Sequence, residues 1–152
     1  MKFIKNYSQL ELNIWAELFL DIIVSIYFFP KVFIMASKGE FYSDALITVI
    51  ATTIIISIIY SIIVFGAIRV LVNSDIKDER DINFELKGHQ TGHIILLVGI
   101  FILVGQIAFN PINSLNITEQ TPPLIAMLLL ILTLASSTGK SLTQLYNYRK
   151  SY

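Results

Sequence analysis

Residues 45–72 read ALITVIATTIIISIIYSIIVFGAIRVLV and carry no charge before Arg69. The run is longer than the roughly 20 apolar residues a helix needs to cross a hydrocarbon core. Its many isoleucines do not argue for a strand, because an unpaired strand in lipid leaves its backbone groups unsatisfied. The stretch predicts a membrane-spanning helix, long enough to tilt or to project past the interface.

Three further spans follow from the same criterion. One covers 12–35, with Trp15 near its start and Tyr27, Phe28 and Phe29 near its end, as in interfacial aromatic belts. Pro30 is expected to kink or end its regular helix. A third span covers 91–109 and stops at Asn110-Pro111. A fourth covers 123–139 and begins at Pro122-Pro123, where proline suits a first helical turn. The predicted fold is all-α: a polytopic membrane protein, a four-transmembrane-helix bundle forming one domain over 1–152. Composition agrees, since 14% of residues are charged where a soluble domain has about 25%. The polar stretches left over are too short for a core of their own. Met1 to Asn13 holds two lysines, and acids follow at Glu11, Glu17 and Asp21, so the first span is expected to be a retained helix.

The long polar run lies between the two apolar halves. Residues 75–93 read DIKDERDINFELKGHQTGH and include both histidines. Residues 73–90 are expected as a loop in which 78–87 forms a short interfacial helix leading directly into the third span. The tail 140–152 is expected as an amphipathic helix at the surface.

Charge sets the predicted orientation. Four spans put Lys2, Lys5, Arg69, Lys77, Arg80, Lys87, Lys140, Arg149 and Lys150 on one side and only Lys31 and Lys38 on the other. The positive-inside rule then places both termini and the central loop in the cytoplasm, N-in and C-in, at the cell's inner or plasma membrane. A formal net charge of zero excludes a general basic field for nucleic acid. With no cysteine, disulfides and thiolate metal sites are excluded.

Helical spacing picks out the candidate residues. Asn13, Glu17, Asp21 and Ser25 recur every four residues and share one face of the first span. Thr133, Ser137, Lys140 and Gln144 form a stripe towards the end of the fourth. A charge inside a span is expected to face the bundle or a wet cavity. Glu17, Asp21, Arg69, His89, His93 and Lys140 fall at similar depth. They predict an intramembrane polar cluster in which Glu17 or Asp21 pairs with Lys140 or Arg69. In the third span Gly88, Gly92, Gly99 and Gln106 keep to one narrow seam, and the spacing of Gly88 and Gly92 permits close helix approach.

Three chemistries are open to these residues. Glu85, His89 and His93, spaced by four, are weak metal-ligand candidates, weaker for lacking an H-E-x-x-H pattern. The Glu, Asp, His and Lys cluster could serve an oligomeric small transporter or an ion or proton channel subunit. Asp78, Glu79, Arg80, Asp81 and Glu85 could form a cytoplasmic docking surface. No phosphate-binding glycine loop and no Ser–His–Asp pattern is present, so no catalytic residue, enzyme activity or cofactor is expected.

The run Asp78-Glu79-Arg80-Asp81, with Ile82 and then Glu85-Leu86-Lys87-Gly88, resembles a group of small prokaryotic four-span membrane proteins. These carry a DERD or DERE loop before the third span and are often encoded beside a small helix-turn-helix regulator. The resemblance covers about residues 75–105, and His89 and His93 lie outside the shared pattern. It implies a regulatory or accessory role and no specific activity. The expected function is a non-enzymatic accessory or regulatory subunit, with the alternative of an oligomeric transporter or channel subunit. Expected partners are the lipid bilayer and either a second copy or a cytoplasmic protein, not nucleic acid.

Overall fold

The computed structural model describes residues 9–38, 44–72, 79–109 and 122–150. The first part of the expected loop, 73–78 with Asp78, lies outside the described residues, as do 110–121. The described chain forms four helices: α1 (Gln9–Lys38), α2 (Asp44–Leu71), α3 (Glu79–Phe109) and α4 (Pro122–Lys150). All four are long and apolar enough to cross a membrane, so the chain is a four-helix polytopic membrane protein. They hold 28 to 31 residues. At 1.5 Å per residue each is about 42–47 Å long, beyond a hydrocarbon core of about 30 Å.

The helix boundaries extend the sequence expectations at three places. Pro30 lies inside α1, which continues to Lys38. The short helix expected to lead directly into the third span forms the first turns of α3, which runs unbroken from Glu79 because no proline interrupts it. Residues 140–150, expected to lie on the surface, are the last third of α4. There Ser141, Gln144, Leu145 and Tyr148 are buried on one face, spaced by three, one and three. That face is the continuation of the stripe that packs deeper in the bundle.

Along α2, four hydroxyl groups are satisfied within the helix itself. Thr48, Thr52, Thr53 and Ser57 of α2 each donate to the carbonyl four residues earlier, at 2.7–3.0 Å. This is the local solution open to Ser and Thr where no water is present.

Helix α4 is the centre of the bundle and touches the other three. Helix α3 packs chiefly on α4, and α1 packs on both α2 and α4. Two apolar clusters result. At the end carrying Gln9 and Lys150, Ile14 and Leu18 of α1 pack with Leu145 and Tyr148 of α4, and Phe84 of α3 leans on them. Towards the opposite end, Phe28, Leu46, Val49 and Met127 join α1, α2 and α4. Most other apolar side chains point outward, among them Phe33 at 76% exposure and Phe101 at 73%. In water such a surface would aggregate; against lipid tails it costs nothing, because lipid is as apolar as the side chains.

Candidate functional site

The charged residues of α1 and α4 meet between the two helices. Lys140 Nζ lies 2.9 Å from Glu17 Oε2 and donates to Oε1 at 3.0 Å. Ser141 Oγ donates to Glu17 Oε2 at 3.2 Å. One turn deeper, Thr138 Oγ1 donates to Asp21 Oδ2 at 3.1 Å, and Asp21 is buried. The geometry follows from antiparallel packing. Moving up α1 by one turn, from Glu17 to Asp21, moves back along α4 by about one turn, from Ser141 to Thr138.

A second layer joins α4 to α3. Ser136 Oγ donates to Gly92 O at 2.8 Å, and Gln144 Nε2 to Glu85 O at 3.4 Å. Tyr148 Oη donates to Asp81 Oδ1, while the Tyr148 ring meets Phe84 edge-on at 4.9 Å. Close approach depends on glycine. A Cβ on Gly92 would lie 3.1 Å from Ser136 O and 3.2 Å from Lys140 Cβ. At Gly88 it would meet the Gln144 side chain, and at Gly99 that of Leu132. Gly139 makes the reciprocal contact from α4, against Ile95.

The residues singled out by spacing are divided among three places. Glu17, Asp21 and Lys140 lie in the α1–α4 interface. Gly88, Gly92 and Gly99 lie against α4, whereas Gln106 is exposed and takes no part in this contact. Arg69, His89 and His93 are exposed and outside the cluster. For the histidines the reason is angular. Each follows a buried glycine by one residue, a rotation of about 100° around the helix, which turns it away from α4. Arg69 stands sixteen residues after buried Thr53, which is about 160° around α2 from its packed face. His89 Nε2 lies 4.0 Å from Glu85 Oε1. No group of three or more metal-ligating side chains gathers among the described residues. Of the acidic-basic run, Glu79 and Arg80 are exposed and Asp81 is taken up by Tyr148.

Thr138, Ser141 and the Tyr148–Asp81 bond were not singled out in the sequence. A signal existed: Ser141, Gln144 and Tyr148 recur at three and four residues, the period of one helix face. It is masked by the aromatic and basic residues of the tail, which read as an interfacial anchor.

Chemically, this is a closed network. Glu17 has two donors and Asp21, Asp81 and Gln144 each have a partner. Such pairing offsets much of the cost of carrying charge into a span. No known protein family, curated protein or solved structure matches the chain.

Proposed function

We propose that the chain is a non-enzymatic accessory or regulatory subunit of a membrane assembly, inserted N-in and C-in, that meets a cytoplasmic protein partner through the first turns of α3. The observation that carries this reading is the exposed pair Ile82 and Leu86, at 53% and 55% exposure. They are one turn apart on α3, among exposed Glu79, Asn83 and Lys87. This is the polar end of the helix, where an apolar pair ringed by charges has the anatomy of a docking patch. The interior charges of the same end are satisfied by each other, which suits a structural role. The resemblance in the 78–88 segment points to the same class of role.

The competing transport reading needs a polar path that continues beyond Asp21. In that direction the interior is filled by Phe28, Leu46, Val49 and Met127. That packing disfavours conduction through a single copy.

Partner capture tests the proposal. Ile82→Asp with Leu86→Asp, and separately Glu79→Lys with Lys87→Glu, should abolish co-purification of the partner, while Asp21→Asn should retain it. Retention of every partner by both surface variants would sink the docking reading. Orientation is tested by single cysteines in this cysteine-free chain. Asn83→Cys should be shielded from an impermeant maleimide in intact cells, and Ser37→Cys should be labelled.

A further inference from the structure

Between α2 and α4 lies a groove of about 460 Å³, with Val24 of α1 as its floor. Its walls include Thr53, Ile54 and Ile58 of α2, and Ala126, Leu130 and Thr133 of α4. The volume falls within the roughly 300–1,000 Å³ of pockets that hold small molecules. We infer that this groove is an intramembrane binding site for one acyl chain of a bilayer lipid.

Position, chemistry and continuity support that occupant. The α2 wall begins six residues after Asp44 and ends fourteen after it. This is about 9–21 Å along a helix of roughly 42 Å, within the hydrocarbon zone of a spanning helix. No charged side chain lines the groove. Its hydroxyls are already committed: Thr53 to Val49 O, Ser57 to Thr53 O and Thr133 to Leu130 O. The hydroxyl protons are therefore not free for a headgroup, a sugar or a peptide, and with the rest of the lining aliphatic the walls match a hydrocarbon ligand. The groove also merges with the lipid-facing surface, since Ile54, Ile58 and Leu129 on its rim are 49%, 53% and 43% exposed. An empty apolar groove there would forfeit dispersion contacts on both walls. The small residues Ala126, Thr53 and Ser57 create the hollow where longer side chains would close it.

This inference rests on the chain's crossing a membrane and is independent of the docking surface on α3. The experiment uses the full chain in phosphatidylcholine vesicles containing a phosphatidylcholine with a diazirine midway along one acyl chain. After irradiation, adducts are mapped by peptide mass spectrometry. They should concentrate several-fold on 50–58 and 126–134 relative to the exposed 98–104 face of α3, and Ala126→Phe should remove the excess. An even distribution over both faces of the wild-type chain overturns the inference, and that arm needs no variant. The single-cysteine variants Ile54→Cys and Leu129→Cys, mixed in vesicles, test a second copy as the occupant. Efficient disulfide formation between copies would also overturn it; no intermolecular bond is expected.

Discussion

Lys140 Nζ stands 2.9 Å from Glu17 Oε2, with 23% and 28% of the two side chains accessible. This ion pair ties the last third of α4 to the first third of α1, next to the glycine contact through which α4 meets α3. Lys140 Cβ itself forms one wall against Gly92. Lys140 therefore takes part in two interfaces at once, through its ammonium to α1 and its Cβ to α3.

Lys140→Met should destabilise the bundle by about 2 kcal/mol. That is below the roughly 3–5 kcal/mol of a fully buried pair, because part of each group stays accessible to solvent. The loss should be largely recovered in the double variant Glu17→Gln with Lys140→Met, which leaves no uncompensated charge. Unfolding in mixed detergent micelles, followed by circular dichroism, measures both. Equal instability of the single and double variants would contradict the coupling.

Gly92→Val should loosen α3 from α4, at about 1–3 kcal/mol for overpacking a tight contact. Beside the Ser136 hydroxyl, the neighbouring atoms are a backbone carbonyl and a Cβ, neither of which can swing aside. Gly105→Val should cost little, since nothing lies within 4 Å of a Cβ there. A cysteine cross-link between Ile95→Cys and Gly139→Cys in each background reports whether the two helices remain in register.

Tyr148→Phe removes the bond to Asp81 and should cost about 1.5–3 kcal/mol, the range for a hydrogen bond to a charged group. The Phe84 ring contact survives this change. The first turns of α3 should lose amide exchange protection before the rest of the helix does. Uniform loss along the whole of α3 would show that the anchor acts on the helix as a unit.

Phe28→Ala should leave a cavity costing about 3 kcal/mol, at the lower end of the range for core phenylalanines. Phe28 is fully buried. Phe101→Ala, on the lipid-facing side of α3, should be close to neutral, because lipid refills the space. Thermal denaturation of the two variants in the same lipid separates internal packing from general apolarity.

Much of this molecule is written locally. The chain cannot place 45–72 anywhere but across a bilayer, and lipid demands that its backbone bonds close within one helix. The same holds for the other three spans, with Pro122-Pro123 marking the start of one of them. Glu17, Asp21 and Lys140 stand out as charges in apolar helices, and Gly88, Gly92 and Gly99 as a small-residue face. Period and composition are enough to identify these groups.

What meets what was decided only by tertiary structure. Glu17 had two possible cations at similar depth, and the packing of α1 on α4 selects Lys140 over Arg69. His89 and His93 descend the same helix as the glycines, yet a rotation of about 100° puts them outside the bundle. Asp81 looks like a free surface acid until Tyr148 arrives from a helix sixty-seven residues away. The physical reason is common to all three cases. In water, hydrophobicity marks the buried face of a helix. In a membrane the surroundings are as apolar as the interior, so the sequence by itself determines the spans, and steric fit between helices decides which faces become inside.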